Sequence, residues 1–215
     1  MKVFIVDYGY GNLFSLTNAL RYVGADVVVA DSPKKIKNAE ILFLPGVGAF
    51  GEAIKELRRR GFEEPLMRHA KERKPLFGIC LGMQFLFDES EEFGKHKGLG
   101  LIPGVVKRMV LKNKEAKVPH VGWNGLLLPK GRKSWQGTIV ESVTGKQYAY
   151  FVHSYVGLPK KKNDVLAEVL YGGSHVVAAV QRGALYGVQF HPEKSGEFGL
   201  ALLANFLKKY SHAKS

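Results

Sequence analysis

Cys80, the chain's single cysteine, sits in Gly78-Ile79-Cys80-Leu81-Gly82, between an apolar run and a helical one. This is the glycine spacing of a nucleophile elbow, with a thiol where a serine would stand. The flanking glycines suit a sharp turn whose neighbours leave no space for side chains. A thiol there projects from the carboxyl edge of a sheet, beside N–H groups at a helix start that favour a thiolate. The N–H of Leu81 then faces any oxyanion that develops. Without such a setting a lone cysteine is more often a small core residue.

A cysteine nucleophile needs a base within reach and a third group to hold that base. Gly187-Val188-Gln189-Phe190-His191-Pro192-Glu193-Lys194-Ser195 supplies both. His191 ends an apolar strand, Pro192 stops the ladder, and Glu193 can reach back to the imidazole. Leu44-Pro45-Gly46-Val47-Gly48-Ala49-Phe50 ends another strand and leaves backbone N–H groups free. It reads either as a plain turn or as the second half of an oxyanion hole.

Gly9-Tyr10-Gly11 opens a helix, with Asp31 twenty residues past Gly11. It mimics a dinucleotide fingerprint, but Phe14 stands where the third glycine belongs, so nicotinamide binding is not expected. His69, His96, His175 and His212 lie in charged or turn contexts and read as surface. They lack metal-ligand spacing, and no metal or other cofactor is expected.

These residues need a sheet to position them. In the first half, strands at 2–7, 26–30, 41–44 and 76–79 alternate with helices at 12–23, 50–60, 65–74 and 81–87. That alternation means a parallel sheet covered on both faces. The second half reads mostly as strands, at 105–111, 125–128, 138–143, 148–155, 165–170, 176–181 and 185–190, with a closing helix at 200–210. The expected fold class is α/β, a central, mostly parallel sheet flanked by helices, with a β-rich second half. One domain, 1–215, is expected at this length.

Composition agrees. The 215 residues are 46% hydrophobic and 24% charged, which excludes a disordered chain or a disulfide-stapled miniprotein. One cysteine permits no intramolecular disulfide. Asp7 breaks the N-terminal apolar run too early for a signal peptide, and no run is long enough to span a membrane, so a cytoplasmic protein is expected. The net charge of +13 invites a nucleic-acid reading. The basic residues are spread along the chain without any such motif, however, and they read as solvated faces.

Taken together, these motifs resemble the class I (triad) glutamine amidotransferases, whose domain is flavodoxin-like, and the resemblance runs nearly end to end. Within that class, the segments Asp7-Tyr8-Gly9-Tyr10-Gly11-Asn12-Leu13, Pro119-His120-Val121-Gly122-Trp123-Asn124 and Phe151-Val152-His153-Ser154-Tyr155 are similar to the glutaminase subunits of imidazole glycerol phosphate synthases. The Pro-His-x-Gly-Trp-Asn segment discriminates most, against the glutaminase subunits of other synthases.

The resemblance implies a Cys80, His191, Glu193 triad that hydrolyses glutamine through a thioester. The oxyanion hole would be formed by Gly46, Val47, Gly48 and Leu81. Gln84, Glu92, His153, Ser154 and Tyr155 would bind glutamine. It also implies a separate cyclase subunit, a (β/α)₈ barrel that this chain is too short to contain. That heterodimer partner would use the ammonia to convert PRFAR to imidazole glycerol phosphate and AICAR, in histidine biosynthesis. Asn12, His120, Trp123, Tyr148, Tyr150 and Lys194 are the candidates for the face toward it, since aromatic residues favour interface cores.

A cysteine peptidase or esterase on a similar sheet would not need Gln84 or the His191–Glu193 tandem. A basic RNA-binding module with a relict site would not need the three triad residues intact.

Overall fold

The valine- and isoleucine-rich strands of the first half are buried and pair in parallel, as their near-continuous apolar character requires. The computed structural model describes residues 1–141 and 147–211. The elements of the first half are β1 (Lys2–Val6), α1 (Leu13–Tyr22), β2 (Asp26–Ala30), α2 (Pro33–Ile36), β3 (Leu42–Gly46), α3 (Phe50–Arg59), α4 (Glu63–Lys71), β4 (Leu76–Cys80) and α5 (Leu81–Phe85). Then come β5 (Phe87–Ser90), β6 (His96–Lys97), β7 (Ile102–Arg108), β8 (His120–Leu127), β9 (Tyr148–His153), β10 (Tyr155–Pro159), β11 (Val165–Tyr171), β12 (Ser174–Arg182), β13 (Leu185–Val188) and α6 (Gly196–Ser211).

A nine-stranded sheet runs in the order β2-β1-β3-β4-β13-β12-β11-β8-β9. Its first four strands are parallel, and β13 continues the parallel set beside β4. From β12 onward every pairing is antiparallel. The chain is therefore α/β with a β-rich second half. A second, four-stranded sheet, β10-β7-β5-β6, is hydrogen-bonded separately from the first. Phe43, Phe77 and Tyr186 of the main sheet pack on Phe206 of α6, with ring centroids 4.8–5.4 Å apart.

Three expectations are corrected. The strand expected over 148–155 breaks at Ser154 into β9 and β10, which belong to different sheets. Residues 138–141 form a turn, not the start of a strand over 138–143; 142 and 143 lie outside the described residues. The Thr138 N–H and Oγ1 both bond the Trp135 carbonyl, at 3.0 and 2.6 Å, which closes the turn. The helix expected over 81–87 stops at Phe85. The Phe85 and Leu86 carbonyls accept from Leu99 and Ile102, at 2.8 Å each, so a following segment ends the helix.

Register does the positioning. Gly46 at the end of β3 is the direct neighbour of Cys80 at the end of β4. On the other side Val188 of β13 pairs with Ile79, so Gln189 to His191 leave the sheet beside Cys80. Three parallel strands thus deliver the glycine turn, the thiol and the imidazole to one carboxyl edge, where ligands bind in open α/β sheets.

Candidate active site

Cys80 is the N-cap of α5 and has φ 54° and ψ −111°. A non-glycine residue in this region is strained, and the strain aims the thiol out of the sheet. The turn is tight enough that a Cβ on Gly82 would land on the Leu44 carbonyl. Cys80 is 8% exposed, at the base of a cavity of about 210 Å³.

His191 lies beside it. Its Nδ1–H donates to Glu193 Oε1 at 2.8 Å, which leaves Nε2 for the sulfur. Both side chains are almost fully buried. Burial works to lower the imidazole pKa, but hydrogen bonds to Cys80 and Glu193, with their charges, outweigh it and hold it up at about 10. The backbone is pinned too. The His191 N–H bonds the Tyr150 carbonyl at 3.0 Å, Ser195 Oγ donates to the His191 carbonyl at 2.6 Å, and the Tyr150 N–H donates to that Oγ at 3.0 Å.

The cavity is lined by Val47, Gly48, Cys80, Leu81, Gln84, Glu92, Val152, His153, Ser154, Tyr155 and His191. All but Val152 were expected at a site from the sequence. Of the remaining expected residues, Glu193 lies behind His191, and Gly46 lies beside Cys80 at the sheet edge. The Gln84 amide donates to the Tyr155 carbonyl at 3.2 Å and to Gln189 Oε1 at 3.1 Å. Glu92 Oε2 accepts the Phe50 N–H at 2.7 Å and so caps α3. His153 Nδ1 donates to the Tyr155 carbonyl at 2.9 Å, and burial lowers its pKa to about 4. It is a neutral imidazole whose Nε2 is free to accept.

The glycine turn is not aimed at the cavity throughout. The Val47 N–H donates to the Tyr10 carbonyl at 3.2 Å. Gly48, at φ +92°, takes a conformation that glycine adopts without the strain a side chain would bring.

The model of the family glutamine amidotransferase class-I matches residues 4–210 of this chain. The chain belongs to the class I glutamine amidotransferases. Among its curated relatives, imidazole glycerol phosphate synthase subunit HisH 1 of Legionella pneumophila (strain Lens) is 42% identical over 210 residues, covering 96% of this chain and 99% of that one. The HisH subunit of Sulfurimonas denitrificans is 45% identical over 206 residues, covering 95% and 96%. In Arabidopsis thaliana, imidazole glycerol phosphate synthase hisHF, chloroplastic, is 44% identical; the match covers 95% of this chain but 34% of that one. A solved structure titled crystal structure of glutamine amidotransferase superposes with a TM-score of 0.73 at 21% identity, covering 96% and 97% of the two chains, and so shares the fold.

This amidotransferase holds two site residues that sequence reasoning passed over. Gln189 is fully buried, and its Nε2 lies 3.8 Å from Cys80 Sγ. Ser195 carries the backbone clamp on His191. Both stand in the segment that contains His191, but only their partners in space reveal their roles.

Of the residues expected to face a partner, three share one face of the β8–β9 ribbon. Val121 and Trp123 of β8 pair with Val152 and Tyr150 of β9, and together with Tyr148 they line one face of the ribbon. Trp123 is 55% exposed, and Lys194 Nζ lies 5.9 Å from the Tyr150 ring centroid. The Asn12 side chain caps α1 at Ser15. His120 points the other way. It is 2% exposed, stacked between Phe151 and Tyr171, because it is out of phase with Val121 and Trp123 on the strand. His69, expected on the surface, is likewise buried and bonds the Pro75 carbonyl. His212 lies outside the described residues.

Proposed function

We propose that this chain is the glutaminase subunit of an imidazole glycerol phosphate synthase. The observation that carries the reading is the buried Cys80, His191, Glu193 constellation at the floor of a small cavity, in a chain similar over nearly its whole length to HisH subunits.

Cys80 Sγ attacks the carboxamide carbon of glutamine, forming an S–C bond. The oxyanion is met by the Leu81 N–H and by an N–H of the Gly46–Gly48 turn. His191, protonated at rest, gives its proton to the departing nitrogen, and the C–N bond breaks to release ammonia. His191, held by Glu193, then takes a proton from water, which attacks the γ-glutamyl thioester. Glutamate leaves, and Cys80 is freed beside a protonated His191, as at the start. Gln84 has both amide hydrogens engaged, so it offers glutamine only its carbonyl oxygen. Glu92 keeps Oε1 free for the ammonium group, with His153, Ser154 and Tyr155 completing the wall.

The ammonia passes to a separate cyclase subunit of (β/α)₈ form, which consumes PRFAR and yields imidazole glycerol phosphate and AICAR. The exposed Trp123, Tyr148 and Lys194, with the half-buried Tyr150, suit that contact. The Arabidopsis relative, three times as long as the matched region and named as the synthase, fits a second function supplied by further chain. The Val47 N–H, bonded to Tyr10, leaves the oxyanion hole one donor short until the turn moves. Such a loss costs about 10²–10³ in rate.

The test is glutamate release by the chain alone, with the cyclase subunit, and with the cyclase plus PRFAR, with Cys80→Ala as the control. Strong stimulation by the loaded partner, lost in Cys80→Ala, is the expected result. Absence of glutaminase activity with a folded, loaded cyclase refutes the assignment.

A further inference from the structure

Tyr8 follows β1 and is 1% exposed. Its ring lies nearly parallel to that of Tyr10, at 15° with centroids 6.1 Å apart, and packs on Phe85 at 5.9 Å. This packing carries the hydroxyl to the sheet edge. Oη stands 2.6 Å from the point that a Cβ on Gly46 would occupy, and Gly82 N and Leu81 Cβ are each 2.9 Å from the same point. The hydroxyl is thus set against the glycine turn and the elbow together. Yet it has no hydrogen-bond partner among the described residues. A buried hydroxyl without a partner is destabilising, and phenylalanine would give the same packing without that cost.

The neighbouring peptide supplies a reason for the hydroxyl. Turning the Gly46–Val47 peptide aims the Val47 N–H at the cavity and swings the Gly46 carbonyl the opposite way, toward the Tyr10 carbonyl that the N–H has just left. Two carbonyl oxygens repel, so the turned peptide needs a donor on that side. We propose that Tyr8 is a positioning residue whose O–H is idle while Tyr10 holds the Val47 N–H, and which donates to the Gly46 carbonyl when the peptide turns. Glycine at 46 is what lets the hydroxyl stand close enough. Burial, with Cys80 and Tyr10 adding to it, pushes the Tyr8 phenol up, so it remains a donor throughout the working range. The inference rests on the glutaminase reading and names a group that completes its oxyanion hole.

Tyr8→Phe tests it, compared with the wild-type chain by glutamate release, alkylation of Cys80 with iodoacetamide, and thermal unfolding. In the free chain the turned peptide is the minor state, so losing its hydrogen bond lowers kcat roughly threefold to tenfold with KM little changed. In the complex with loaded cyclase, where the partner itself favours the turned peptide, the loss is smaller. Alkylation develops no oxyanion, so its rate stays at the wild-type value. The melting temperature holds or rises, because an unpaired buried hydroxyl is gone. A kcat within twofold of wild type in the free chain overturns the inference. So does alkylation slowed by the same factor as kcat, which puts the hydroxyl on Cys80, or a melting temperature that falls, which makes its role structural. A wild-type chain that releases no glutamate even with the loaded cyclase removes the glutaminase reading and this inference together. Wild-type activity unmatched by any defect in Tyr8→Phe removes the inference alone.

Discussion

The Gln189 side chain donates from Nε2 to Cys80 Sγ across 3.8 Å, and its direction is set from the far wall of the cavity. The Tyr155 carbonyl only accepts, so Gln84 must turn its amide nitrogen toward it. That nitrogen also donates to Gln189 Oε1, which leaves the Gln189 nitrogen for sulfur. Two glutamines 105 positions apart in sequence form a directional chain that ends on the nucleophile.

Gln189→Met keeps the shape and removes both bonds. Losing the one donor that Gln189 gives the sulfur lowers kcat roughly tenfold, and Cys80 alkylation slows with it. KM rises as well, because the Gln84 amide is no longer fixed. An unchanged alkylation rate would show that Gln189 does nothing for the sulfur.

Glu193→Gln changes the pH response. Hydrogen bonds to Cys80 and Glu193 raise the His191 pKa from 6.5 to about 10 against the pull of burial. A group raised on folding contributes stability that is fully present below its unfolded pKa and is lost as pH rises through the folded one. Wild-type stability therefore declines from neutral pH through about 10, and the alkaline limb of glutaminase activity lies there too. Removing the Glu193 charge moves both limbs down toward the ordinary imidazole range and weakens proton delivery to ammonia. NMR titration of the His191 ring checks this directly, and a titration in Glu193→Gln that matches wild type would sink it.

Glu92 has two separable duties. Its Oε2 caps α3 at the Phe50 N–H, and its position in the cavity wall gives the carboxylate charge to the ligand. Glu92→Gln retains a capping oxygen and loses the charge, so the KM for glutamine rises while the melting temperature holds. Glu92→Ala loses both and also destabilises the fold by about 1 kcal/mol. Equal effects of the two substitutions on stability would deny the cap.

The legible parts of the site were those written in local chemistry. Glycines around Cys80 and the Pro-Gly-Val-Gly run state their turns, and parallel strands place their carboxyl ends on one edge. The Gln84–Gln189 bond could not be read, because it joins the short helix α5 to the residue after β13, and the two lie far apart in sequence. His120 was legible in principle. Strand alternation puts it opposite in phase to Val121 and Trp123, and the exposed tryptophan then assigns His120 to the buried face. The turn at 138–141 misled because its threonine, isoleucine and valine suit a strand, while the Thr138 bonds to Trp135 closed it locally. The helix reading ran on to Phe87, the first residue of β5, because the helix's end is fixed by bonds from residues more than a dozen positions on.

The elbow backbone gives a last prediction. Cys80 sits at φ 54° and ψ −111°, a region that strains any side chain by roughly 1–3 kcal/mol. Cys80→Ala keeps that strain, whereas Cys80→Gly releases it and gives back about 0.5–1 kcal/mol through the greater freedom of the unfolded glycine. Both variants lack a nucleophile and release no glutamate. Cys80→Gly is nonetheless expected to be the more stable of the two by about 1 kcal/mol, a rise of about 2–4 °C in melting temperature for a chain of this size. A melting temperature for Cys80→Gly at or below that of Cys80→Ala would show the turn to be unstrained. The expected order means the surrounding register, with Gly46 beside Cys80 and Gly82 against the Leu44 carbonyl, holds the thiol in a conformation that it would not choose alone. Stability is given up at the residue that supplies the nucleophile.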